Sequence, residues 1–145
     1  MPIALYSRDI LRLAASIPHQ RRLERPRATV EKSSPVCGSR VAVDVVIDGA
    51  GRVAALGQEV RACALGQASA ALMGAHAIGR SADELAEARD ALAGFLAGRR
   101  DDPGGWPGLA VFAEARRYSA RHAAILLAFE AAAEAAAQAG RADAA

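Results

Sequence analysis

Two cysteines are the residues best suited to chemistry in this chain of 145. Cys37 sits in Ser-Ser-Pro-Val-Cys-Gly-Ser (33–39), a Pro/Gly turn placed just before an alternating strand pattern. Cys63 follows Val60-Arg61-Ala62, where the strand pattern stops and a helical one begins. Thiolates are soft, charge-donating ligands for iron and zinc, and they accept persulfide sulfur. At a helix N-terminus Cys63 would meet the positive end of the helix dipole, which favours thiolate. The other reading makes Cys63 a small buried hydrophobe, the usual fate of a free cysteine. With no third cysteine, either these two share a site or they carry no chemistry.

The elements that would position them follow from periodicity. Ile10, Leu13 and Ile17 predict a short amphipathic helix over 5–17, closed by Pro18. An arginine-rich, proline-bounded connection covers 18–26. Strands are predicted at 27–34, 40–48 and 52–61, the second alternating Val41, Val43, Val45 and Ile47 against Ala42, Asp44, Val46 and Asp48. Asp48-Gly49-Ala50-Gly51 is a hairpin turn. From Cys63 the period changes to that of a helix, with Leu65, Ala68, Leu72 and Ala75 on one face up to Gly79. Ser81-Ala82-Asp83-Glu84 is a capping box that opens a helix stopped at Gly98. A Pro/Gly loop fills 99–108, a helical turn or two is expected at 109–117, and a last helix runs from about 120 to 138. The alanines at 131–133 and 135–137 are read as helix propensity, and 140–145 as a frayed tail. The expected fold is α+β: a three-stranded antiparallel sheet, one face buried, with helices packed on that face, in a single domain spanning 1–145.

Composition narrows the function classes. The chain is 52% hydrophobic, 23% charged and 4% aromatic with a formal charge of +2, so its core must be built mainly from Ala, Leu and Val. Lys32 is the sole lysine, and the short arginine clusters at 21–25 and 99–102 mix signs and lack stacking aromatics. That argues against nucleic acid as a partner. No run of 18 apolar residues predicts a membrane span. Arg8, Asp9 and Arg12 interrupt any signal-peptide core, so a cytoplasmic home is expected. There thiols stay reduced, which favours metal or sulfur chemistry over a disulfide. No catalytic triad or phosphate-binding glycine loop is present, so the chain is not expected to be an enzyme.

The order of these features carries a resemblance. Leu5-Tyr6, Ile10, Pro26 and Ser34-Pro35-Val36-Cys37-Gly38 lead through strand, turn and strand to Cys63 and Ala68-Ser69. Leu109, Phe112, Arg116, Tyr118, Arg121, Leu127-Ala128-Phe129 and Ala131 extend it over nearly the whole chain. This pattern resembles the U-type iron–sulfur cluster scaffold family: the IscU and SufU proteins and the NifU N-terminal domain. The resemblance implies a [2Fe–2S] cluster assembled on three cysteines and an aspartate, or zinc bound there instead. It also implies a cysteine desulfurase as sulfur source and acceptor apoproteins as recipients.

By that resemblance Cys37 and Cys63 fall on the first and second family cysteines. Ser39 stands at the aspartate position, Ala62 at the glycine that often precedes the second cysteine, and Ala124 at the third cysteine. Half of the ligand set is therefore replaced. Ser39 is expected to serve loop hydrogen bonding, since a neutral hydroxyl is a poor ligand. His122, two residues before Ala124, could complete a shell, because imidazole suits zinc and iron. Its other reading is a surface or capping residue at a helix start. Arg40, Arg61 and Arg121 could flank the thiolates or be ordinary surface arginines, and His19 and His76 have no supporting cluster. The expected function is a scaffold-like protein holding a metal or cluster through Cys37 and Cys63, with His122 or an exogenous ligand. The alternative keeps the fold and drops the metal, leaving an interaction module for the assembly machinery.

Overall fold

A valine every second residue commits one face of a strand to the core, and here that strand is central. β1 (Ala28–Ser33), β2 (Arg40–Ile47) and β3 (Val53–Arg61) pair antiparallel in the order β1-β2-β3. The structure, a computed structural model, describes residues 3–35 and 38–144. Val41, Val43 and Val45 are wholly buried, and Val30 lies opposite Val43 on β1. The turn after β2 is closed by Asp48, whose backbone N–H donates to the Arg52 carbonyl at 2.8 Å while its Oδ1 accepts from Ala50 and Arg52.

Among the described residues four α-helices pack with the sheet: α1 (Arg8–Ala14), α2 (Ala64–His76), α3 (Ala82–Leu96) and α4 (His122–Ala144). α4 lies along β1 and β2 and against α2 and α3, so it is the core helix. Its alanines do more than favour helix: Ala128, Ala131, Ala132, Ala135 and Ala139 have no exposed surface. Small side chains let the helix axis approach the valine face of the sheet closely. By length and composition Ser119–Ala142 could cross a membrane, yet 61% of its apolar window is buried inside the fold, as a core helix requires.

Several boundaries differ from expectation for identifiable reasons. The helix expected over 5–17 is a 3-10 turn, Ile3–Tyr6, followed by α1. Ser7 separates them by capping α1, its hydroxyl accepting from the Ile10 N–H at 3.3 Å. Pro18 disfavours helical backbone at Ile17, so α1 ends early. The helical turns expected at 109–117 are there as 3-10 helix, Leu109–Arg117, and a further 3-10 turn, Ser119–Arg121, precedes α4. α4 itself continues through Gly140 to Ala144, where a frayed tail from 140 was expected. Buried Ala139 and the Arg27 guanidinium, which donates to the Ala142 carbonyl at 3.1 Å, tie this end to the start of β1.

β2 is also buried on both faces, which the alternation alone did not foretell. On the face away from α4, Asp44 has no exposed side chain. It accepts from Arg22 Nε at 2.7 Å, Arg22 Nη2 at 2.9 Å, the Leu23 N–H at 2.9 Å and Thr29 Oγ1 at 2.6 Å. The 18–26 connection is thus strapped across the sheet. Gly57, paired with Asp44 on β3, makes room for it: a Cβ there would collide with the Arg21 carbonyl and lie 3.0 Å from the Leu23 nitrogen. Gln58, wholly buried, fastens the strap to α2 by donating to the Pro18 and Ala70 carbonyls.

The 99–108 loop is anchored by Trp106, which the sequence reading did not single out. Its Nε1 donates to the Leu72 carbonyl at 2.9 Å, and its ring meets Phe129 edge-on with centroids 5.3 Å apart.

Candidate functional site

The hairpin register ends where the chemistry begins. Arg40 pairs with Arg61 as the last rung between β2 and β3, and Ser33 pairs with Arg40 between β1 and β2. Beyond that rung the chain from Ser34 to Ser39 closes on itself. The Ser34 N–H donates to the Ser39 carbonyl and the Gly38 N–H to the Ser34 carbonyl, both at 2.8 Å. Gly38 has φ of 72°, a left-handed turn that glycine adopts without penalty. Cys37 and Val36 lie outside the described residues, so the expected approach of the two sulfurs carries no distance.

Cys63 sits directly beyond the other end of that rung. It is the N-cap residue of α2, with extended backbone at φ −65° and ψ 169°, and its thiol is free. The side chain makes no capping bond and is half-buried against the core. Its backbone N–H donates to Ser39 Oγ at 3.4 Å. Ser39, only 3% exposed, therefore does the loop hydrogen bonding expected of it, joining the turn that follows β1 to the start of α2.

The remaining expected positions are placed less favourably for ligation. Ala124, 1% exposed, lies in the first turn of α4 beside the first turn of α2: its carbonyl would sit 3.2 Å from a Cβ on Gly66. That puts position 124 one helical turn from Cys63, but the side chain there is a methyl group. The His122 ring is held by its Nε2–H, which donates to the Ala115 carbonyl at 2.8 Å. A carbonyl only accepts, so in the neutral ring Nδ1 alone keeps a free lone pair. Among the described residues no three His, Cys, Asp or Glu side chains gather as a metal-binding group.

The arginines largely have other work. Arg40 pairs with Glu31 at 3.0 Å and Arg61 with Glu59 at 3.5 Å, which offsets the like charges set opposite each other across the ladder. His19 is exposed with φ of 58°, and its carbonyl accepts from the Gln58 N–H. His76 rests edge-on against Trp106. Asp102 shapes its turn by accepting from the Gly104 N–H and from Arg100, which together hold its carboxyl below the ordinary range.

One buried polar group at this end of the sheet is not among the candidate residues of the sequence. Ser34 is 2% exposed, and its hydroxyl has no hydrogen-bond partner among the described residues. The only sequence signal was a second serine before Pro35, which is also what an ordinary turn contains.

No protein-family model matches the sequence, and no curated protein matches it. Solved structures do. The chain is similar to the crystal structure of a nitrogen-fixing NifU-like protein (N-terminal) from Brucella abortus, at 37% identity and TM-score 0.89, covering 95% of this chain and 96% of that one. It shares its fold with a putative iron–sulfur cluster assembly scaffold protein for the SUF system from Fervidobacterium islandicum, at 22% identity, TM-score 0.83 and 91% and 96% coverage. A hypothetical protein, at 22% identity and TM-score 0.80 with 92% and 97% coverage, has the same fold. A 37% identity spread over 95% of the residues, on a matching three-stranded sheet with its helices, establishes descent as well as shape. The chain belongs to the U-type scaffold family, as a protein like the NifU N-terminal domain.

Proposed function

We propose that this chain is a scaffold-like protein of iron–sulfur cluster assembly, carrying a metal or cluster as cargo through Cys37 and Cys63. The observation that supports it most is Cys63: a free, half-buried thiol at the start of α2, its backbone bonded to Ser39, in a chain 37% identical to a NifU-like protein. The donor set fits two thiolate bonds. It does not fit the four-ligand shell that the family resemblance implies, because position 39 is a serine bonded to backbone and position 124 an alanine. A third ligand would come from His122 through Nδ1 or from outside the chain. Cargo held by two thiolates is held weakly and passed on easily, which suits transfer from a cysteine desulfurase to acceptor apoproteins. Such chemistry needs reduced thiols, hence a cytoplasmic setting. The protein supplies sites and not turnover, so it is no enzyme by itself.

The test is anaerobic reconstitution followed by iron, zinc and sulfide quantitation. Wild-type protein should take up metal, and Cys37→Ser and Cys63→Ser should each abolish uptake. Ala124→Cys should strengthen it. Serine at 39 and alanine at 124, the two positions where the resemblance implies ligands, favour a second reading, an interaction module that docks to the same machinery without metal. Wild-type protein that stays metal-free, with no gain from Ala124→Cys, would decide for that reading.

A further inference from the structure

The strap forms a cavity as well as a bond to Asp44. Where it leaves α1, Ile17, His19, Gln20, Arg21 and Leu23 line a concavity of about 500 Å³ against Leu56 of β3. That is the size of a small-molecule site. Leu56, 5% exposed, gives it an apolar floor together with the half-buried Ile17 and Leu23. His19, Gln20 and Arg21 are consecutive, and none of their side chains has a hydrogen bond or ion pair among the described residues. No acidic side chain lines the cavity, whereas Arg21 carries a permanent positive charge. Its neighbour Arg22 is by contrast engaged by Asp44 and Glu59.

His19 adds an independent observation. At φ 58° it is the one non-glycine residue among those described with left-handed backbone. The turn uses that conformation: the His19 carbonyl accepts from the Arg21 N–H at 2.7 Å and from the Gln58 N–H at 2.9 Å. These bonds account for the backbone but not for the imidazole, since glycine adopts the same conformation without the crowding of a Cβ. A side chain kept where glycine would suit the fold better, and unpartnered within the protein, implies a partner outside it. Donors beside a fixed positive charge, above an apolar floor, select an anion with an apolar body. We propose that the start of the strap is a binding site for a small carboxylate with an aliphatic body. The carboxylate bonds to Arg21, with His19 and Gln20 donating beside it, and the body covers Ile17, Leu23 and Leu56. From Leu56 to Arg61, the end of β3, the strand runs about 17 Å before Cys63 is reached. The site is thus separate from the proposed cargo site and does not rest on the scaffold reading.

The experiment follows backbone amide resonances of the full chain as 3-cyclohexylpropanoate is added. Saturable shifts should gather at residues 19–23 and at Leu56. Acetate has the charge without the body, and 3-cyclohexylpropan-1-ol has the body without the charge. Each should bind at least about tenfold more weakly. Arg21→Gln should weaken the carboxylate about tenfold, the scale of one bond to a charged group, and leave the alcohol unchanged. His19→Gly should also weaken the carboxylate while melting no lower than wild type, because glycine relieves the left-handed position. Neither substitution removes a side-chain bond of the strap, so both proteins should fold. No saturable shift for the carboxylate at about 10 mM, which detects even millimolar binding, would overturn the proposal. So would full binding by Arg21→Gln, or equal affinity for acetate or for the alcohol. A His19→Gly protein that melts lower and still binds would overturn it as well, since the imidazole would then serve the fold alone.

Discussion

Asp44 shows how much one buried carboxylate can organise. Burial pushes its carboxyl upward, but bonds from Arg22, Thr29 and the Leu23 N–H, with the Arg22 charge, outweigh it and hold it below the ordinary range. A depressed folded value means that the unfolded chain takes up its proton first as pH falls. The contribution of Asp44 is therefore complete above the unfolded value, near 3.9, and is lost as pH falls through the lower folded one. Asp44→Asn should cost about 2 kcal/mol at neutral pH by weakening bonds to Arg22 and Thr29. It should also flatten the acid limb of stability between pH 5 and 2, by about the amount Asp44 contributes there. Urea denaturation of both proteins across that range measures this, and parallel acid limbs would refute the assignment. Nothing at the residue scale in the sequence announced this role, since an aspartate at an alternating position is what a solvated sheet face also shows.

At the scale of elements, periodicity carried most of the information, and its gaps are where expectation failed. The three strands, the hairpin at 48–51 and the Ser81 capping box lie where alternation and turn chemistry put them, with both halves of the box formed. The strap at 18–26 has no period to read, because its place is set by Asp44, Gln58 and one glycine. Gly57→Ala should therefore lower stability by about 1–3 kcal/mol, as the new methyl meets the strap's backbone at Arg21 and Leu23, which cannot rotate away as the Leu23 side chain could. Gly49→Ala is the control, since a Cβ there meets nothing within 4 Å. Thermal melts of the pair should separate by several degrees. Equal melting temperatures would mean that the strap yields to the methyl at little cost. The site divides along the same line. The positions of Cys63 and Ser39 at the sheet end follow from where the strand period stops, whereas the Ser34 orphan depends on a three-dimensional accident of partners.

For the whole molecule, the cysteine end is where separate parts of the chain meet. The 34–39 turn belongs to the sheet, Cys63 opens α2, and position 124 opens α4, the helix around which the core is built. An ion held by Cys37 and Cys63 would cross-link the sheet's end to the start of α2, and such an ion has no counterpart in the unfolded chain. Binding to the folded state alone stabilises by mass action, about 2.7 kcal/mol when free ligand stands at 100 times its dissociation constant. Zinc added to reduced wild-type protein should therefore raise the melting temperature by roughly 5 °C or more at such excess. Cys63→Ser should show no zinc-dependent shift while melting near wild type without metal, because the substitution changes one half-buried atom. Ala124→Cys should enlarge the shift at the same zinc concentration, since a third thiolate from α4 would join a second helix to the same ion. A wild-type shift that survives in Cys63→Ser would place the zinc elsewhere on the chain. An enlarged shift in Ala124→Cys alone, with none in wild type, would show a family site whose geometry persists after its ligands were lost.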